Sequence, residues 1–157
     1  MIKLMRVDHR LLHGQVAFSW TSAIGSDCIL IANDGIFKDD IRMAGIKLAK
    51  PHGVKLVIKN IEDSIKALQS GVTDKYNLFI VVETIKDAYR MAKEVDAIKS
   101  INLGGTKSRE NTKQISKAIF INEEEENMLK ELHQAGIQIE IRQVPDDSKV
   151  FIQNALK

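Results

Sequence analysis

The 157-residue chain lacks most of the features that mark specialised protein classes. It has one cysteine, Cys28, so no internal disulfide can form, and this usage suits a reducing cytosol. Cys28 lies in the strand-like run Asp27 to Ala32, which reads it as a buried structural thiol and not a nucleophile. No stretch approaches the roughly 18 consecutive apolar residues of a membrane span. The opening Met1-Ile2-Lys3-Leu4-Met5-Arg6 is charged too early to be a signal peptide, so a cytoplasmic location is expected. An excess of one charge is missing too. The formal net charge of +2 from 23 basic and 21 acidic residues does not by itself point to nucleic acid or an anionic membrane. Aromatics make up 5% of the chain and form no platform on which bases could stack. No Gly-x-Gly-x-x-Gly follows the first strand, which disfavours a nucleotide-binding reading. Repeats, low-complexity stretches and linkers are also absent, so residues 1–157 read as a single domain.

What remains is the composition of a soluble globular protein, 44% hydrophobic and 28% charged. Short apolar runs alternate with helical periodicity. The runs are Ile2–Val7, Cys28–Ala32, Val54–Ile58, Leu78–Val82, Ser100–Leu103, Ala118–Ile121 and Ile137–Ile141. Most are nearly continuous, the pattern of strands covered on both faces of a parallel sheet. Between them fall helical patterns such as Ile61-Ile65-Leu68 and Ile85-Ala88-Met91-Ala92-Val95. Strands alternating with helices predict a doubly wound, three-layer α/β/α fold around a mainly parallel sheet of six or seven strands. Ile139-Glu140-Ile141-Arg142 alternates instead, which predicts an edge strand near the C-terminus. The acidic run Glu123 to Glu126 complements a helix dipole.

The most informative segment is Arg10-Leu11-Leu12-His13-Gly14-Gln15. It joins the first strand to a helical segment, Val16 to Ile24, and so puts a histidine at the carboxyl edge of the sheet, where open α/β folds bind ligands. A helix N-terminus there favours anions, Gly14 lets a phosphate approach the backbone, and Arg10 adds a fixed positive charge. Histidine can carry a phosphoryl group covalently, and transfer then needs mainly positioning and charge neutralisation. His9 and His13 are four residues apart, but no His-Glu-x-x-His pattern or cysteine pair supplies the further ligands of a zinc site, so no metal or cofactor is expected. His52 and His133 read as solvent-exposed.

The segment Val7-Asp8-His9-Arg10-Leu11-Leu12-His13-Gly14-Gln15-Val16 resembles the phosphorylation-site segment of the mannose/sorbose-type enzyme IIB of the bacterial sugar phosphotransferase system. Asn33-Asp34, Lys50-Pro51-His52-Gly53-Val54, Asn102-Leu103-Gly104-Gly105 and Val144-Pro145 extend the resemblance along nearly the whole chain. The resemblance implies a mainly parallel sheet with the first strand central. It implies that His13 accepts a phosphoryl group on Nδ1 from phosphorylated enzyme IIA and passes it to a sugar held by the membrane components IIC and IID. It leaves the oligomeric state open, a homo-oligomer being one outcome since the family often forms dimers or larger assemblies, and it implies association with the membrane through those partners only.

By the same resemblance Arg10 neutralises the phosphate, while Asp8 either orients Arg10 or the loop or acts as an Asx-type cap. Gln15 is a phosphate contact or an exposed helical residue. Lys107 and Arg109, in Gly104-Gly105-Thr106-Lys107-Ser108-Arg109, would flank His13 if strand five lies beside strand one, in a docking or phosphate-steering role. The alternative to a phosphotransfer enzyme is a non-enzymatic regulatory module in which His13 ligates a small anion.

Overall fold

The computed structural model describes residues 1–157. Strand β1 (Ile2–Asp8) leads to helix α1 (Gly14–Ile24), then β2 (Cys28–Ala32), a short 3-10 turn (Ile36–Lys38) and α2 (Asp40–Leu48). There follow β3 (Lys55–Lys59), α3 (Ile61–Ser70), β4 (Leu78–Val82), α4 (Ile85–Glu94) and β5 (Ser100–Gly105). A hairpin of β6 (Lys113–Ser116) and β7 (Ile119–Ile121) precedes α5 (Glu123–Gln134), β8 (Gln138–Ile141), β9 (Val150–Phe151) and α6 (Ile152–Ala155).

Seven strands form one sheet in the order β3-β2-β4-β1-β5-β8-β9, and every pairing is parallel except β8 with β9. The first strand is therefore central, with Met5 beside Ile80 of β4 and Ile101 of β5. Strands β2 and β4 are buried at every residue, because helices cover both faces and leave no polar side for alternation to mark.

The two faces carry separate cores. One joins Met5, Val7, Leu30 and Ile80 to the inward stripes of α3, α4 and α5. The other joins Leu4, Ile29, Ile31 and Phe79 to Trp20 of α1 and Ile46 of α2. Period-2 alternation along β1 thus assigns Leu4 to the α1 side and Met5 and Val7 to the α4 side. The same alternation sends Arg6 and Asp8 toward α1.

Two sequence expectations need correction. Ile139–Ile141 is not an edge: β8 is flanked by β5, and the two-residue antiparallel β9 closes the sheet. Its alternation has a different cause, since Glu140 is buried and bonded to Arg142 and is not facing water. The run Ala118–Ile121 lies outside the main sheet as well. Its last three residues pair with Lys113–Ser116 in a separate hairpin, tied to the end of β5 by the Thr106 hydroxyl.

Candidate functional site

The turn after β1 is built by Asp8. Its carbonyl accepts the Leu11 N–H and its Oδ1 accepts the Arg10 N–H, both at 2.9 Å. Leu11 is held at φ 57 with its side chain buried among the α1-side core, an unfavourable backbone that persists because that packing requires it. Gly14 takes φ 33 as the chain enters α1, a value that suits glycine. His13 is the N-cap of α1 in extended conformation, and no side chain caps the helix, so the first-turn N–H groups stay available to an anion.

The imidazole of His13 is fixed by a second oxygen of the same carboxylate: Nε2 lies 3.0 Å from Asp8 Oδ2. That oxygen also accepts from Arg6, at 3.0 Å from Nη2 and 3.3 Å from Nε. Arg6 and Asp8 are 2% and 3% exposed, so the pair is a desolvated ion pair beneath the loop. Burial pushes the Asp8 carboxyl up, but its hydrogen bond with His13, the Arg6 charge and the Arg10 N–H together hold it below the usual carboxylate range. Asp8 is therefore an anion at neutral pH and accepts from Nε2–H, so that in the neutral ring the lone pair falls on Nδ1.

Arg6 has its own support. Nη1 donates to Asn102 Oδ1 at 2.7 Å and to the Arg142 carbonyl at 3.3 Å, and Asn102 donates to that same carbonyl at 3.0 Å. The Arg6 and Arg142 guanidiniums lie 5.2 and 4.8 Å from the centre of the Trp20 ring, whose Nε1 donates to the Gln143 carbonyl. A Cβ on Gly104 would stand 2.1 Å from the Arg6 guanidinium carbon, so only glycine leaves that space. Sequence reading gave Arg6, Asn102 and Arg142 no role at the site. One available signal was an arginine in the middle of a central, otherwise buried strand.

His13 and Asp8 open into a depression of about 390 Å³ whose wall includes Arg10, His9, Gly105 and Val144. Arg10 is exposed on this wall, and its side chain is free to meet an incoming anion. Asp8 Oδ1 accepts the Arg10 N–H in an Asx-type contact and its Oδ2 meets His13, whereas the sequence offers Arg10 or the loop as what Asp8 orients. Gly14 and Gln15 are exposed at the helix start. Lys107 and Arg109 do not enter this depression. They line a smaller neighbour of about 190 Å³ that shares His9 as its wall, because Arg109 turns toward α5 to bind Glu125 at 2.8 Å. Glu125 is itself half of the capping box that Asn122 makes at the start of α5.

His9 stands between the two depressions with its amide bonded to the Gly105 carbonyl. Burial lowers its pKa, the nearby cations Lys107 and Arg10 lower it further, and Asp8 only partly opposes them. His9 is thus neutral at pH 7. An NMR titration should find its ring titrating below the ordinary value of 6.5. A midpoint at or above that value would contradict this environment.

A roomier groove, about 580 Å³, lies elsewhere, between α2 and the β3 edge. Lysines and apolar side chains line it, without a histidine or carboxylate, so it offers no group to carry phosphate. No cluster of three or more histidine, cysteine or carboxylate side chains is placed to hold a metal ion.

The family model described as "PTS system sorbose subfamily IIB component" matches residues 2–157. A probable phosphotransferase enzyme IIB component of Streptococcus pyogenes serotype M6 is 36% identical over 137 residues, 84% of each chain. The sorbose-specific EIIB component of Lacticaseibacillus casei is 31% identical over 147 residues, 94% of this chain and 90% of its own. Among solved structures, the IIB domain of the sorbose permease from Klebsiella pneumoniae superposes with a TM-score of 0.92 at 28% identity, covering 99% of this chain and 96% of that one.

Proposed function

This chain belongs to the sorbose subfamily of IIB components of the sugar phosphotransferase system, a phosphotransferase serving sugar uptake, and on that premise we propose that His13 is the residue that carries the phosphoryl group. The observation that carries this reading is the 3.0 Å contact between His13 Nε2 and Asp8 Oδ2. It commits the Nε2 proton to an anion, so Nδ1 is the nucleophile. Nδ1 attacks the phosphorus of a phosphohistidine on enzyme IIA, the donor N–P bond breaks, and the donor imidazole leaves with the bonding pair. The His13 ring gains positive charge as the new N–P bond forms, and the buried Asp8 carboxylate stabilises that charge in place. Arg6 keeps Asp8 ionised and still.

Arg10 and the first-turn N–H groups of α1 face the transferring phosphoryl oxygens. In the second half-reaction a sugar hydroxyl attacks the phosphorus and gives up its proton to solvent, the Nδ1–P bond breaks with its pair returning to Nδ1, and His13 departs as neutral imidazole. The sugar is held by the membrane components IIC and IID, and the chain meets them at the cytoplasmic face of the membrane. None of its own helices is long and apolar enough to cross a membrane.

The test is reconstitution with phosphoenolpyruvate, enzyme I, phosphocarrier protein and a matching IIA. The expected result is one acid-labile phosphoryl group per chain. No transfer from any IIA would reduce His13 to the ligand of a small anion. A charge-assisted contact to phosphate contributes roughly 1.5–3 kcal/mol, so Arg10→Ala should slow transfer about ten- to a hundredfold. Folding should be unaffected, because Arg10 is exposed. An unaltered initial rate at limiting donor would leave Arg10 as a surface charge only.

A further inference from the structure

The segment after β8 gives the His13 depression a further wall, lined by Gln143, Val144 and Asp147. Its backbone is pinned from below at three successive acceptors. The Arg142 carbonyl accepts from Arg6 and Asn102, the Gln143 carbonyl from Trp20 Nε1 at 3.1 Å, and the Pro145 carbonyl from Arg142 Nη1 at 2.9 Å. The chain then turns, with the Asp147 N–H donating to the Val144 carbonyl at 3.1 Å. Arg6 thus bonds both the carboxylate that orients His13 and the segment that carries Asp147.

Besides Asp8, Asp147 is the only carboxylate lining the depression, and the two differ in what they are free to do. Asp8 is buried, with both oxygens engaged. Asp147 is exposed and joins no ion pair, and its side chain makes one contact, a long 3.4 Å acceptance of the Val144 N–H by Oδ2. A free negative charge repels phosphate, so its place in this wall calls for a chemical reason. The two half-reactions supply one. Transfer from the IIA histidine has no proton to remove: the attacking nitrogen brings a lone pair and the leaving imidazole takes the bonding pair. A sugar hydroxyl must lose a proton as its oxygen bonds to phosphorus. His13 cannot take that proton, because Nδ1 is bonded to phosphorus and Nε2 already carries a proton against Asp8.

We propose that Asp147 is the base of the second half-reaction, a proposal that rests on the reading of His13 as the carrier that delivers to a sugar. The sugar O–H bond breaks toward a carboxylate oxygen of Asp147 and the O–P bond forms. The Nδ1–P bond breaks with its pair returning to Nδ1. Asp147, exposed to water, then releases the proton to solvent. A carboxylate suffices for this task, as in kinases whose catalytic aspartate accepts the substrate hydroxyl proton. His9 is the other free base on the wall. A proton on His9 would add a cation beside Lys107 and Arg10, whose charges already oppose it. A proton on Asp147 instead removes a negative charge beside the departing sugar phosphate.

The experiment follows the two half-reactions separately on the full chain by rapid quench. One is phosphoryl uptake from phosphorylated IIA. The other is delivery to sorbose, mannose, fructose or N-acetylgalactosamine in vesicles carrying IIC and IID. Asp147→Asn keeps an oxygen for the Val144 N–H, so the turn is retained. This variant should take phosphate from IIA no more slowly than the wild type, because a like charge has gone. Its delivery at saturating sugar should fall about a hundredfold, the usual scale for a lost general base. The KM for sugar should hold, because IIC and IID bind the sugar. His9→Gln should deliver like the wild type. Equal losses in both half-reactions would make Asp147 a support of the loop and overturn the proposal. Wild-type delivery by Asp147→Asn, or a delivery step slowed by His9→Gln in its place, overturns it too. Failure of the underlying reading looks different: the wild type itself then takes no phosphate from IIA, or delivers it to none of the four sugars, and the proposal falls with it.

Discussion

His13→Gln should give a folded chain that incorporates no phosphate. The substitution removes the only nucleophile in the depression placed against a carboxylate. Asp8 keeps its bonds to Arg6 and to the Arg10 N–H, so the loop is retained and the stability loss should be about 1 kcal/mol, the net value of one hydrogen bond. His9→Gln serves as the comparison, because His9 lies beside the same depression but has no bond to Asp8 through its ring. That variant should still be phosphorylated by IIA. Label retained in His13→Gln, or lost only in His9→Gln, would move the phosphoryl carrier to the other histidine.

The largest effect on stability should come from Arg6→Met. It leaves the Asp8 carboxylate buried without its cation, and breaking a buried pair in this way costs about 3–5 kcal/mol. For a chain of this length that corresponds to a fall in Tm of roughly 6–20 °C. The pH dependence has a definite sign. Asp8 is depressed in the folded state, so its contribution is present above the unfolded carboxylate value of ~3.9 and is lost as pH falls through its lower folded value. Without Arg6, burial is opposed less, the folded value rises, and acid unfolding should begin at higher pH. Gly104→Ala should act in the same direction but more weakly, since its methyl displaces the guanidinium without deleting it. Thermal melts of both variants across pH 2–7 check this, and a Tm and acid midpoint equal to wild type would show that the pair is dispensable.

The readable parts of this molecule were the local ones. Continuous apolar runs marked the parallel strands, and the strand–Arg–His–Gly–helix order pointed to the candidate site, because each depends on neighbours in sequence. What escaped depends on distant ones. Arg6 meets Asn102 and Arg142 across 96 and 136 residues, and nothing near Arg6 announces those partners. Lys113–Ser116 is a polar run that becomes a strand only because Ile119–Ile121 folds back on it. The two residues of β9 are too few to carry a pattern, yet they displace β8 from the edge. The direction taken by Lys107 and Arg109 is set by Glu125, whose role as both cap and ion-pair partner appears only when α5 packs beside the loop.

The most direct test of the central claim is a long-range proton–nitrogen NMR spectrum of the chain with ¹⁵N-labelled histidines, recorded before and after phosphorylation by IIA. Phosphorylation should replace the lone pair on Nδ1 of His13 by a bond to phosphorus, while Nε2 keeps its proton against Asp8. Phosphate on Nε2 of His13, or on any other ring, would contradict the account.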